Sequence, residues 1–193
     1  MTTSPSETPG SAERAGAAAP AGTGSRIRAR LDELGLTLPV VAAPVAAYVP
    51  AVAVGSAVHT SGQLPFVEGS LLATGKVGAE VTPERAAELA AICCLNALAA
   101  IEALVGDLDQ VVRVVKVTGY VASDPQFTAQ PAVINGASEL LGSIFGDVGQ
   151  HARSAVGVAV LPLDSPVELD LHVELASAAQ AAAATAPAAA PTA

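Results

Sequence analysis

The residues of this chain best suited to chemistry gather in two short runs. Gly149-Gln150-His151-Ala152-Arg153-Ser154-Ala155-Val156-Gly157-Val158 places an arginine just before an apolar strand, and Val167-Glu168-Leu169-Asp170 places a glutamate near the start of the next. If the two strands form a hairpin, the pair flanks one pocket. A fixed guanidinium there would hold a carboxylate through two parallel hydrogen bonds, and a neighbouring carboxylate could move a proton or activate water. By residue type alone other readings stay open. Arg153 can be a surface arginine beside a local acid, and Glu168, Asp170, His172 and Glu174 can form a solvated or subunit-facing row. Alternate strand positions spread those four too far for one cation.

Other positions are candidates of a weaker kind. Tyr48 lies in a Pro-bounded extended segment, where its phenol either meets a ligand or packs into the core. Ser61-Gly62-Gln63 offers a backbone amide and a hydroxyl at a strand end, a possible carboxylate cradle but no nucleophile elbow. Asn135-Gly136 falls inside a helical pattern, where both residue types cost stability, so close packing or a ligand contact is expected there. His59 reads as facing out from a short strand, and His151 stands in the loop beside Arg153. Adjacent Cys93 and Cys94 within a helix read as small apolar filler rather than redox or metal ligands. No phosphate loop, dinucleotide fingerprint or zinc spacing occurs.

The elements that must position these residues follow from periodicity. Arg26–Leu34 reads as a short amphipathic helix stopped by Gly35, giving an N-terminal helical segment over 26–35. Leu38–Pro50 reads as extended, 51–54 and 57–61 as a hairpin around Gly55-Ser56, and 71–76 as a further short strand. Thr82-Pro83-Glu84 opens a long helix ending at Gly106. Val111–Val121 is apolar on both faces and predicts a central, doubly covered strand. A second helix spans 127–145, and strands at 154–161 and 167–175 close the order ββ(β)αβαββ, an α+β mixed sheet with two helices on one face.

Composition bounds what this fold can do. The 193 residues carry a net charge of −9, with no Trp, two Tyr and three Phe. That disfavours nucleic acid, which calls for clustered Lys and Arg and for stacking aromatics. Residues 1–25 and 176–193 are small, polar or alanine-rich and predict disordered tails around one domain at 26–175. No stretch reads as a membrane span and no signal peptide is evident, so a cytoplasmic location is expected.

Taken together, the segments resemble the reactive-intermediate deaminase family, the RidA or YjgF/YER057c/UK114 group, also labelled endoribonuclease L-PSP. The matching residues are Tyr48, Val54-Gly55, Thr60-Ser61-Gly62-Gln63-Leu64-Pro65, Gly75-Lys76-Val77-Gly78, Asn135, Ala152-Arg153-Ser154-Ala155-Val156, Leu161-Pro162 and Val167-Glu168. The chain departs from the usual pattern at Val49-Pro50, at His151 (proline in archetypal members) and at Ala155 (cysteine in them). The resemblance implies a chorismate-mutase-like fold and a homotrimer with ligand clefts between subunits. It also implies cofactor-free hydrolysis of enamines or imines, of the 2-aminoacrylate type, to 2-oxo acids and ammonia. By position, Arg153 would bind the substrate carboxylate and Glu168 would position water. Ser61, Gly62 and Asn135 would line the cleft, with Tyr48 closing it. The alternatives are a non-catalytic metabolite-binding trimer of the same fold and, third, an endoribonuclease.

Overall fold

The structure, a computed structural model, describes residues 25–41 and 48–176. The tails expected to be disordered therefore lie outside it, except for their innermost residues. Ser25 caps the first helix by accepting from the Arg28 amide, and the Ala176 amide donates to Gln110 at 2.9 Å. Part of the predicted extended segment, 42–47, also lies outside the described residues.

Five strands form the main sheet. β1 (Ala51–Val54) and β2 (Ala57–Thr60) make the expected hairpin, turning at Gly55 with φ +62°. β3 (Phe66–Val67) and β4 (Ser70–Leu71) form a separate small hairpin, where the sequence predicted one strand over 71–76. Its turn residues Glu68 and Gly69 both have positive φ, the geometry that suits a two-residue hairpin loop. β5 (Val111–Ala122), β6 (Ala152–Val158) and β7 (Val167–Leu175) complete the main sheet in the order β1-β2-β7-β5-β6. Only β5 and β6 are parallel.

Three helices are described. α1 (Arg26–Glu33) ends just before Gly35, whose φ is +68°. α2 (Pro83–Val105) starts at the predicted Thr82 cap, whose hydroxyl accepts from the Arg85 amide, and stops at left-handed Gly106. α3 (Gln130–Phe145) begins three residues later than expected, because Phe127 is held in a turn by its bond to the Asp124 carbonyl. α2 and α3 pack together over the sheet, burying Leu89, Cys93, Leu98, Ile134 and Leu141 against Val117, Val121, Leu169 and Leu171. By length and composition α2 could cross a membrane, contrary to the sequence reading, with mean hydropathy 1.9 over its most apolar window. Its place at the centre of this core accounts for that composition. Both cysteines are buried on α2, and burial pushes the Cys94 thiol up to about 12, consistent with inert filler.

Two expectations about the sheet need correction. β5 is not doubly covered among the described residues: its other face carries Arg113, Lys116, Thr118 and Tyr120, and no described element packs over it. The unbroken valine run arises because the β5–β7 register shifts between Val111 and Arg113 and again between Val114 and Lys116, so the valines do not alternate cleanly. The last two strands do not form a hairpin either. β6 lies beside β5 on one side and β7 on the other, and the connection through Pro162–Asp164 crosses the end of β5. Leu163 and Asp164 both take positive φ in that crossing, and the buried Ser165 hydroxyl donates to the Val167 carbonyl to fix its exit.

Candidate functional site

Two separate clusters contain the predicted residues. The first is built by β6 and α3. Register pairs Arg153 with Val117, a residue buried under the helices, so Arg153 projects to the helix side of the sheet edge. Its NH1 donates to Asn135 Oδ1 at 2.8 Å and to Ser138 Oγ at 3.1 Å. Asn135 and Ser138 stand one turn apart on the same face of α3. They flank Gly136, where any Cβ would overlap the Ala87 carbonyl of α2. Of the two explanations offered for Asn135-Gly136, close helix packing holds at the glycine, while the asparagine accepts from the arginine. Beyond Arg153 lies an open cavity of about 460 Å³ lined by Ser138, Gly142, Gly149, Gln150, His151 and Arg153. His151 is bonded on both sides, by Ser138 Oγ at Nε2 (3.0 Å) and by the Gly149 carbonyl at Nδ1 (2.6 Å).

The second cluster lies on the open face of the sheet. Glu168 is in register with Tyr120 and lies against Gly62, where a Cβ would overlap its carboxylate. The close approach is set by paired bonds between Gln63 and Leu169, whose amides each donate to the other's carbonyl (2.7 and 3.1 Å). Burial, followed by the nearby charge of Asp170, raises the Glu168 carboxyl above its ordinary value. The Tyr120 hydroxyl donates to Asp170 Oδ2 at 3.1 Å, and its own pKa is raised by burial and by that carboxylate. Farther along the same face, His59 and His172 stack with ring centroids 4.0 Å apart. Burial and the His59 charge lower the His172 pKa.

Ser61 is engaged by its own chain. Its hydroxyl donates to the Val49 carbonyl at 2.7 Å and its amide to the Pro50 carbonyl at 2.8 Å. It therefore fastens the Tyr48 segment to the end of β2, and Tyr48 itself stands exposed. No cluster of three or more His, Cys, Asp or Glu side chains that could hold a metal occurs among the described residues.

The match to known proteins extends over this whole frame. Residues 28–175 match the family model described as "YjgF/chorismate_mutase-like, putative endoribonuclease". This chain belongs to the YjgF family. Its relative TCP17 of Trypanosoma cruzi is 47% identical over 151 residues, covering 78% of this chain and 94% of that protein. The crystal structure of Atu1372 from Agrobacterium tumefaciens shares 46% identity with a TM-score of 0.73, covering 78% of this chain and 93% of that one. A structure from Shewanella oneidensis MR-1, described as "a putative endoribonuclease", shares 35% identity with a TM-score of 0.75, covering 77% and 99%. The fold of this YjgF-family chain is accordingly the chorismate-mutase-like α+β fold that the resemblance implied.

Within the family frame, the structure brings Arg153 to Asn135 and Gly62 to Glu168, but it does not join these two pairs in one chain. Among the described residues, Ser61 links the Tyr48 segment to the second cluster. Sequence reasoning passed over Ser138 and Tyr120 as participants. Ser138 could have been found from its spacing, three residues after Asn135 on a helix otherwise presenting small or apolar residues to that side. Tyr120 pointed nowhere by itself, because its role depends on the cross-strand register that puts it opposite Glu168.

Proposed function

We propose that this protein hydrolyses small enamines or imines bearing a carboxylate, releasing a 2-oxo acid and ammonia without a cofactor, in clefts between the subunits of a homotrimer. The observation that carries the reading is the exposed Arg153 guanidinium, fixed by Asn135 and Ser138 at the wall of a cavity. With NH1 anchored, the remaining N–H donors of the fork suit a carboxylate. Glu168 supplies the other half of the chemistry. A carboxyl raised by partial burial is a better proton acceptor for water than an ordinary surface glutamate. Glu168 of one subunit would meet Arg153 of the next, with Gly62 and the Tyr48 segment on the Glu168 side. The open sheet face, exposing Val52, Val54 and Val156, is the surface such an assembly would cover.

The test is turnover of 2-aminoacrylate generated in situ, followed as pyruvate and ammonia, together with sedimentation of the purified protein. Accelerated release by a trimer, lost in Arg153→Ala, supports the reading. Unchanged decay rates, or a monomer that retains full activity, overturn it. Binding of a 2-oxo acid that survives Glu168→Ala, with turnover in neither protein, would instead mark a non-catalytic binding trimer.

The family's endoribonuclease designation raises RNA as a second substrate. The net charge of −9 and the acidic row of Glu168, Asp170 and Glu174 weigh against it, because a polyphosphate must be drawn in by surplus cations. RNA cleavage by the wild type that disappears in Arg153→Ala would restore it.

A further inference from the structure

A directed chain of hydrogen bonds runs through the cavity wall beside Arg153. A backbone carbonyl only accepts, so the Gly149 oxygen, 2.6 Å from His151 Nδ1, fixes the proton on that nitrogen. The neutral imidazole then accepts at Nε2, 3.0 Å from Ser138 Oγ, and the hydroxyl donates there. Arg153 NH1 donates to the same oxygen at 3.1 Å. The sequence is therefore Arg153 to Ser138 to His151 to Gly149, with one lone pair of the Ser138 oxygen left over. All four residues lie at the one cavity, three of them on separate elements or turns.

We propose that Ser138 is a catalytic proton donor and acceptor at the Arg153 site, recharged by His151. The inference rests on the deaminase reading above and assigns the proton path which that reading leaves open on the Arg153 side of the cleft. A substrate carboxylate on the guanidinium brings its α-nitrogen, two bonds from the carboxylate carbon, into hydrogen-bond range of Ser138 Oγ. When the ring takes a second proton, at Nε2, its bond to Ser138 reverses. The oxygen then accepts from both imidazolium and guanidinium, and its own hydrogen turns to the substrate. The two cations then share one oxygen, and a bound carboxylate offsets their repulsion. The other charged groups nearby do not cancel it. Asp147 is engaged by the Gln150 amide at 3.3 Å, Glu139 is exposed on α3, and Lys116 sits beside Ala152 on the opposite face of the sheet.

The steps balance without a cofactor. Ser138 gives its proton to the imine nitrogen while Oγ takes the proton of His151 Nε2. Water adds to the imine carbon, and the proton it loses goes to Glu168 of the partner subunit. In the resulting carbinolamine the nitrogen takes that proton, the C–N bond breaks, and ammonia leaves. The hydroxyl proton returns through Ser138 to His151 as the C=O bond forms. One imine and one water become one 2-oxo acid and one ammonia.

The experiment is steady-state turnover of a 2-imino acid generated in situ by the intact oligomer. Ser138→Ala and His151→Ala are each expected to lower kcat roughly 100-fold, with KM changed by less than about 3-fold. The double variant is expected to be no slower than either single one, since the two residues act as a unit. Free imidazole should restore His151→Ala and leave Ser138→Ala unchanged. If His151→Ala does not fold, His151→Gln is expected to fold and to show the same kcat loss. Wild-type kcat in both variants, or a rise in KM alone, overturns the relay and leaves the deaminase reading standing. Absence of turnover in the wild type overturns both.

Discussion

Arg153 and Glu168 lie on opposite faces of one sheet, with β5 between their strands. Arg153 is in register with Val117 and Glu168 with Tyr120. Two strand spacings and three residues of rise separate them, roughly 10 Å in each direction. Their side chains then diverge, Arg153 toward Asn135 on α3 and Glu168 toward Gly62. To touch both, a small ligand would have to lie between two copies of the chain, as in the proposed trimer.

That requirement gives the first prediction. In the proposed homotrimer, the Arg153→Ala and Glu168→Ala variants are each expected to be inactive. Mixed from the unfolded state, they should regain activity, because about a quarter of the clefts then receive an intact Arg153 from one subunit and an intact Glu168 from the next. Turnover measured before and after mixing checks it. No recovery, with mixed trimers demonstrated by mass spectrometry, would mean that each cleft draws both residues from the same subunit.

Gly62→Ala tests how Glu168 is placed. The added methyl occupies the space of the Glu168 carboxylate, so the side chain must rotate away while the Gln63–Leu169 bonds hold the backbone. The expected outcome is a loss of kcat approaching that of Glu168→Ala, with thermal stability lowered by about 1–3 kcal/mol from overpacking. Unaltered kcat would show that this position of Glu168 has no part in turnover.

Much of this arrangement was legible in the sequence, and the exceptions share a cause. The Thr82 cap, Gly106 stop, Gly55 hairpin and strict alternation of β7 are local signals, and each appears where predicted. The Asn135-Gly136 anomaly was visible because it breaks a local rule within a helix. The hairpin between the last two strands was wrong because strand neighbours are a non-local choice. β5, far upstream, inserts between them, and no residue in the Pro162–Asp164 connection announces that. The same insertion puts Arg153 and Glu168 on opposite faces, so residue spacing alone could name the pair but not its geometry. The valines of β5 misled for a related reason, since its register shifts are settled by pairing with β7.

Glu168 also makes stability depend on pH. Its carboxyl is raised in the folded state by burial and by Asp170, so folding favours the protonated form. The sign follows: that favourable contribution is complete below the ordinary glutamate value and is lost as pH rises through the folded value. Above it, the ionised group is a penalty carried by the fold. Glu168→Gln is therefore expected to melt at a higher temperature than wild type near pH 7, with the difference shrinking toward acid pH. Calorimetry at a series of pH values decides this, and a variant less stable at neutral pH would sink it.

α1 is tied to the domain by a carboxylate that follows the opposite sign. Asp109 accepts from the Arg26 and Ile27 amides at 2.7 and 2.8 Å, while Ser25 Oγ donates to Asp107 at 2.8 Å. The loop before β5 thus caps free amides at the start of a helix more than eighty residues earlier in the chain. Burial by itself would raise the Asp109 pKa, but the bonds from Ile27 and Arg26 outweigh it and hold the carboxyl below its ordinary value. This contribution is present above the ordinary aspartate value and is lost as pH falls through the folded one. On acidification α1 should therefore lose hydrogen-exchange protection before α2 does. Asp109→Ala should speed exchange of the α1 amides at neutral pH by roughly 5-fold or more while α2 stays protected. Exchange in α1 unchanged by the substitution would mean that Ile27 and Leu31, buried against the core, hold the helix without the cap.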